Sequence, residues 1–221
     1  MNHKEDLEAI LQLLDAPGNA LEWFQKYHDL IVVWNQRVNL ISKRDESKIA
    51  LRHFIDSLTL LRAVSFPENI RLLDLGTGAG FPGVPLKIVR PDIDLVLLES
   101  KRKKGLFLKQ LIQSLDLDNT AVFIGRAEEI LPGTTPVDRV CSRAVTTAET
   151  LLQWCAPCLK ANGGNIVALK GPDAETELTP LPRTIGGLKV SARFFACSPF
   201  PEIMPKLKRH LLEIALTKNH F

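Results

Sequence analysis

Cysteine is scarce in this 221-residue chain, with four in all, and so few in a chain of this length argue against a disulfide framework. Long apolar runs are missing too. None approaches the roughly 20 residues that a helix needs to span a bilayer. Met1 to Asp6 is polar, and no apolar core followed by a small-residue cleavage site comes after it. The expectation is a cytoplasmic protein with no membrane partner. Strong charge is also absent: the net excess is +3, which permits an anionic partner without requiring one. No internal repeat or low-complexity tract is present. What remains is an ordinary globular composition, long enough to bury a real core, either one domain or one domain with an extension.

The first third reads helical. Leu7, Ile10, Leu11 and Leu14 follow the i, i+3, i+4, i+7 rule, and Pro17-Gly18 ends the run. A second helix begins near Leu21, carries Leu21, Phe24, His28 and Ile31, and dissolves near Val38-Asn39. A third runs from about Glu46 to Leu61, with Leu51, Phe54, Ile55 and Leu58 on one face. From Ile70 the period changes. Short apolar runs at 70–75, 93–98, 120–124, 137–141 and 165–169 alternate with helical patterns, of which Leu108, Leu111, Ile112 and Leu115 is the clearest. Thr146 and Glu149 have the spacing of a capping box. Beyond Gly171, Leu188 to Phe195 and His210 to Lys218 read as two more strands, placed to pair antiparallel at a sheet edge. The pattern predicts an α/β fold: a helical extension over 1–66, then a Rossmann-like domain over 67–221 on a mostly parallel, seven-stranded sheet.

The most informative stretch is Asp74-Leu75-Gly76-Thr77-Gly78-Ala79-Gly80, with Phe81-Pro82-Gly83 behind it. It lies where a strand gives way to a helix. Alternate glycines let a ligand lie against bare main chain, and a helix start offers free N–H groups to a carboxylate or phosphate. An acid about 20 residues further on, here Glu99, completes a nucleotide-binding pattern. A dinucleotide fingerprint needs a glycine at position 81, where this chain has Phe81. An NAD-dependent oxidoreductase lacks that residue. In isolation, G-x-G-x-G is also a common tight turn; the strand before, the helix after and the acid downstream favour a cofactor loop.

Ligands in open α/β sheets bind beyond the carboxyl ends of the strands. Those ends present the glycine loop, Glu99, Gly125-Arg126-Ala127-Glu128, Ser142-Arg143-Ala144 and Lys170-Gly171. Arg126, Arg143 and Lys170 share this rim, which suggests an anionic substrate. Lys101-Arg102-Lys103-Lys104 opposes the dipole of the helix it starts; it is either a phosphate-binding run or a solvated helix face. His53 and Asp56, three apart on the third helix, read as a hydrogen-bonded structural pair before a catalytic dyad. Trp154-Cys155-Ala156-Pro157-Cys158 looks like a thioredoxin motif but falls within or at the end of a helix, not at the start of one. No second ligand pair is present for zinc. Both thiols read as small core residues, and no metal is expected.

Taken in order, Asp74 to Gly83, Leu97-Leu98-Glu99-Ser100 with Lys103-Lys104, Arg126-Ala127-Glu128, Ser142-Arg143-Ala144 and Leu169-Lys170-Gly171 resemble the bacterial ribosomal RNA small-subunit methyltransferase G family, also called glucose-inhibited division protein B. Upstream, Val38-Asn39-Leu40 and His53-Phe54-Ile55-Asp56-Ser57-Leu58 also match. The resemblance covers about residues 20 to 171 and is loose beyond. It implies a class I S-adenosylmethionine-dependent methyltransferase that modifies N7 of a guanine in the 530 loop of 16S rRNA. It further implies cofactor contacts at Gly76, Gly78, Phe81, Ala127, Glu128 and Arg143, with Glu99 near the ribose. The family usually has aspartate where this chain has Glu99, one methylene longer. Lys103, Lys104, Arg126 and Lys170 are the candidates for rRNA phosphates, and Arg143 for positioning the base. The small ribosomal subunit is the expected partner, and nothing asks for more than a monomer. The alternatives are a methyltransferase acting on another RNA or on a small molecule, and a non-catalytic ribosome-assembly factor.

Overall fold

In a computed structural model the described residues are 3–160 and 164–218. Eight strands form one sheet: β1 (Arg71–Leu75), β2 (Asp94–Glu99), β3 (Thr120–Ile124), β4 (Arg139–Arg143), β5 (Asn165–Lys170), β6 (Thr184–Ile185), β7 (Leu188–Cys197) and β8 (Arg209–Lys218). Their order is β3-β2-β1-β4-β5-β8-β7-β6. The first five pair in parallel, and β8 pairs antiparallel with both β5 and β7. The expected seven strands become eight because the chain doubles back at Gly186-Gly187, both at positive φ. That turn joins β7 to the two-residue strand β6, too short to carry an alternating pattern of its own. β4 also lies two residues later than the apolar run at 137–141 suggested, which brings Ser142 and Arg143 into the strand.

Strands β1 and β2 are buried on both faces, as parallel strands between helices must be. Leu72, Leu95 and Leu97 face one core, while Leu73, Leu75, Val96 and Leu98 face another. The second core is closed by α6 (Ala127–Ile130) and α7 (Ala148–Cys155), through Ala127, Leu151, Leu152 and Cys155. The first is closed by α4 (Gly83–Val89), α5 (Arg102–Ser114) and the N-terminal helices.

Those N-terminal helices are α1 (Lys4–Leu13), α2 (Ala20–Asn35) and α3 (Asp56–Ala63). Ahead of α3 the chain passes through a 3₁₀ turn, Glu46–Lys48, and a π-helical segment, Ala50–Ile55. The third helix is therefore three pieces, not one. In α2 the core face carries Phe24, Tyr27 and Ile31, and the expected His28 sits one position off it. Phe24, Tyr27 and Phe54 of this layer meet Phe81 of the glycine loop in one aromatic cluster, with centroids 4.8 to 6.0 Å apart. The extension thus shares its core with the sheet. Among the described residues, no helix is long and apolar enough to cross a membrane.

Phe54 is fully buried at the centre of that cluster. Its replacement by alanine is expected to cost about 3–5 kcal/mol, measured by urea denaturation. Helical signal and tryptophan fluorescence should lose intensity together in the wild-type chain. Two separated transitions would show that the extension does not share the core.

Candidate active site

The carboxyl ends of the central strands are level. Leu75 of β1 stands opposite Leu98 of β2 and Ser142 of β4, so Gly76, Glu99 and Arg143 reach one rim. It coincides with the point where strand order reverses on either side of β1, the usual crevice of a doubly wound sheet. In the turn above it, Gly76, Gly78 and Gly80 all have positive φ. A Cβ at Gly78 would meet nothing closer than Lys104 Nζ at 3.9 Å, so bare main chain faces open space there.

Asp74 organises the turn from below. Its Oδ2 accepts bonds from Thr77 Oγ1 at 2.6 Å and from the Gly83 N–H at 2.7 Å. Gly83 permits this approach, since a Cβ there would lie 2.8 Å from that same oxygen. The expected free N–H groups at the start of α4 are therefore not all available to a ligand. The helix is buried along its whole length and its first N–H is spent on Asp74. Burial raises the Asp74 carboxyl to about 7, against the opposing bonds from Thr77 and Gly83.

Glu99 has a similar internal duty. Its Oε2 accepts the Gly78 N–H at 3.0 Å and its Oε1 the Lys101 N–H at 2.8 Å, at 6% exposure. One carboxylate thereby ties the glycine turn to the end of β2. Each oxygen retains a second lone pair for a ligand hydroxyl. Beside it lies a cleft of about 230 Å³ lined by Gly76, Ser100, Arg126, Ala127, Glu128, Val145 and Trp154, among others. Its mix of glycine backbone, apolar side chains and one exposed acid suits an uncharged heterocycle joined to a polar tail. Trp154 and Val145 are not among the sequence candidates. In the sequence Trp154 reads only as part of the cysteine motif, although it lies one step off the buried stripe Leu151, Leu152, Cys155.

Arg143 is the hub on the other side of β1. One guanidinium nitrogen donates to the Arg52 carbonyl and to Asp56 Oδ2, both at 3.1 Å; the other donates to His53 Nδ1 at 2.8 Å. The guanidinium carbon lies 5.0 Å from the centre of the Phe81 ring. His53 stacks on the same ring, 4.8 Å away and 15° from parallel. The expected direct pair of His53 and Asp56 is replaced by a shared partner. The wider i→i+5 winding of Ala50–Ile55 upsets the i, i+3 proximity that an α-helix would have provided. Since a guanidinium only donates, Nδ1 of His53 is an acceptor and the neutral ring carries its proton on Nε2. Burial, then the nearby Arg143 charge, lowers His53 to about 4. Phe81 itself is 4% exposed, its ring locked against Tyr27 and His53. Tyr27, also absent from the sequence candidates, donates its hydroxyl to the Ala79 carbonyl at 2.5 Å.

The cations divide into two groups. Lys103 and Arg126 are exposed, and Lys104 is half-buried beside the glycine turn. Lys170 does not present a free charge. At 7% exposure its ammonium bonds the Thr146 carbonyl at 2.6 Å and Glu177 Oε2 at 2.7 Å. Glu177 lies seven residues further on and is brought back by the 3₁₀ segment Pro172–Leu178. Glu177 also accepts the first N–H of α7 at 2.6 Å, and Thr147, not Thr146, caps that helix. A second cavity, of about 370 Å³, is lined by Arg52, Asp56, Arg143, Lys170, Lys208, Arg209 and His210, among others. Arg52, Lys208 and Arg209 are not among the sequence candidates. The run Lys206-Leu207-Lys208-Arg209 ahead of the last strand was the available signal. Arg209 is bound to Asp56 Oδ1.

Cys155 and Cys158 are buried at the end of α7 and the turn after it, with the Cys158 thiol donating to the Cys155 carbonyl at 3.2 Å. Burial pushes the Cys158 thiol up to about 11, away from the reactive range. No group of three or more potential metal ligands occurs among the described residues.

A family model described as rRNA small subunit methyltransferase G matches residues 20–203. Ribosomal RNA small subunit methyltransferase G of Desulforamulus reducens is 40% identical over 174 residues, covering 77% of this chain and 72% of its own. The protein of that name from Alkaliphilus oremlandii is 35% identical over 214 residues, covering 95% of this chain and 86% of its own. The likeness thus continues past Gly171 into the C-terminal strands. Among solved structures, precorrin-6y C5,15-methyltransferase from Geobacter metallireducens aligns with a TM-score of 0.52 at 17% identity, over 78% of this chain and 91% of that one. This last is a likeness of fold.

The two displaced titrations have opposite signs. The unfolded chain takes a proton on His53 near pH 6.5, and the folded chain refuses it until about pH 4; stability from this residue is lost as pH falls through that window. Asp74 does the reverse, keeping a proton up to about pH 7 that the unfolded chain releases near 3.8, so its contribution is lost as pH rises from about 3.8 to about 7. His53→Gln removes the acid-side loss that opposes the Asp74 gain, so the variant's urea midpoint is expected to rise relative to that of wild type as pH falls from about 6.5 to 4. A difference between the two midpoints that stays constant across that window would show that His53 titrates normally.

Proposed function

The chain belongs to the rRNA small subunit methyltransferase G family, and from that premise we propose that it methylates N7 of a guanine in the 530 loop of 16S rRNA, with S-adenosyl-L-methionine as the methyl donor. The observation that carries this reading is the adjacency of two cavities at the carboxyl edge of one sheet. One is a glycine-lined cleft holding Glu128 and Trp154, the other a cation-lined cavity, and the glycine loop with Arg143 lies between them.

The donor supplies an electrophilic methyl group on a sulfonium. The cleft's fit to it rests on this chain's residues. Gly76 and Gly78 leave main chain bare, Glu99 keeps free lone pairs for ribose hydroxyls, and Ala127 and Glu128 border the space for an adenine edge. Phe81 acts from behind, its ring clamped to the extension so that the loop keeps its shape.

Guanine N7 carries an in-plane lone pair, so no proton has to leave before it attacks. The site needs alignment more than it needs a base. His53 agrees with that requirement: its Nδ1 is engaged by Arg143, and its lowered pKa makes it a weak base. Arg143, fixed by three partners, holds a position between donor and acceptor spaces and is the positioning residue of this scheme. Lys103, Lys104 and Arg126 take rRNA phosphates on the cofactor side, and Arg52, Lys208 and Arg209 take them on the acceptor side. Lys170, neutralised by Glu177, props the start of α7 instead. The extension over 1–66 contributes Arg52 and Asp56 to the acceptor wall and so belongs to the site of the domain over 67–221. The partner in this reading is the small ribosomal subunit in the cytoplasm, met by a monomer.

The decisive assay offers labelled S-adenosylmethionine with small subunits lacking the modification, alongside large subunits, tRNA and naked 16S rRNA. Label confined to 16S rRNA, at a guanine whose strand breaks after reduction and aniline treatment, is the expected result. Label on tRNA, or none anywhere, would overturn the substrate. Glu99→Gln, which can accept only one of the two backbone N–H bonds, is expected to weaken cofactor binding about tenfold or more. Calorimetry would reveal an unchanged affinity and with it an error in the cofactor site.

A further inference from the structure

A groove between α2 and α5 lies outside both cavities already described. Val33, Trp34, Arg37 and Val38 form one wall and Lys103 and Leu106 the other, around about 330 Å³. Apolar surface is left in water here, with Val33 61% and Leu106 47% exposed. Trp34 is held from behind. Its indole N–H donates to Gln110 Oε1 at 3.1 Å, and its ring meets Phe107 edge-on with centroids 5.7 Å apart. A ring so fixed has little freedom left to lose when something packs on it.

The rim of this groove is cationic. Arg37 and Lys103 are exposed, neither has an ion-pair partner among the described residues, and no acid lines the groove. The next residue, Lys104, reaches over Gly78, so the first turn of α5 runs from the glycine loop to the groove. The acceptor cavity lies by β4, β5 and β8, whereas α5 follows β2 on the opposite side of β1. The two recognition surfaces therefore flank the glycine loop.

An apolar protein segment has no use for two unpaired cations, and a phosphate alone has no use for a fixed tryptophan. A planar aromatic ring, an aliphatic floor and cations at the rim together match a single-stranded nucleic acid, whose bases pack on side chains while its phosphates meet the charges. We propose that this groove holds an unpaired rRNA base near the modified one, with its flanking phosphate between Arg37 and Lys103. The proposal rests on the reading of rRNA as substrate and adds a second anchor beyond the acceptor cavity. A strand held at both places crosses the glycine loop, which favours a looped-out segment over a duplex.

The test compares wild type, Val33→Glu and Arg37→Ala for binding to unmethylated 16S rRNA, to assembled small subunits, to oligouridylate and to an RNA duplex of matching length. Each variant is expected to weaken binding to oligouridylate and naked rRNA about tenfold, with cofactor affinity and urea midpoint at wild-type values. Arg37→Ala should also reduce the salt slope by about one. Oligouridylate should quench tryptophan fluorescence in wild type, and Trp34→Phe should remove that quenching. Normal RNA binding by both variants would overturn the proposal, as would an equal loss on the duplex. A loss on assembled subunits with none on naked rRNA would assign the groove to a ribosomal protein and overturn it too. If wild type methylates 16S rRNA while the variants bind normally, only the groove is lost. If wild type methylates no RNA, the functional reading is lost with it.

Discussion

Arg143 has almost no free direction, and the arrangement of this molecule follows from that. Its guanidinium meets a carbonyl, a carboxylate and an imidazole nitrogen, all from residues 52–56, and an aromatic ring from a second part of the chain. The carbonyl, the carboxylate and the imidazole come from the π-helical segment and the start of α3. The ring comes from the glycine loop, and the arginine itself ends β4. A charge with only 20% of its side chain exposed is held most firmly where its donors are satisfied. The sheet, the extension and the cofactor loop are consequently held in one geometry. Arg209 joins the same carboxylate from β8, so the C-terminal strand is bound into it as well.

Two displaced titrations follow from the same packing. Histidine beside a guanidinium in a dry site gives up its proton, and His53 becomes a neutral acceptor. Asp74, buried under the loop with one oxygen bonded twice and the other unpartnered, holds its proton unusually firmly. Polar groups so placed contribute little as charges. They direct backbone: Asp74 sets the turn and the start of α4, while Glu99 ties the turn to β2. Three acidic or basic groups that look like chemistry in the sequence thus act first as architecture. The open positions belong to glycine main chain, to Glu128 and to the exposed cations.

That division suits the proposed transfer to guanine N7, in which no proton need be abstracted. Rate then depends on how rigidly two ligands face each other, and rigidity is what the Arg143 contacts and the aromatic cluster of Phe24, Tyr27, Phe54 and Phe81 provide. The extension therefore forms part of the wall of the second cavity, since Arg52 and Asp56 belong to it.

Local chemistry made much of this legible in the chain itself. Alternating apolar runs reveal a parallel sheet because strands buried on two faces must be apolar throughout. Positive-φ glycines between a strand and a helix mark a loop against which a ligand lies, and the omission of glycine at position 81 excludes the dinucleotide pattern. The helix-end cysteines were readable as core for the same local reasons. Contacts between distant segments were not readable. The i, i+3 spacing of His53 and Asp56 pointed to a pair, yet a π-helical winding and an arginine 90 residues away from His53 decide their partners. Lys170 has the position of a substrate-binding cation, and only the folded chain brings Glu177 to neutralise it. Tyr27, Trp154 and Arg209 enter the site through packing of one layer on another, which no periodicity within a segment encodes. The chain by itself determined the elements, the loop and the likeness of family; tertiary structure decided which charges are free, because that depends on burial and on partners far away in sequence.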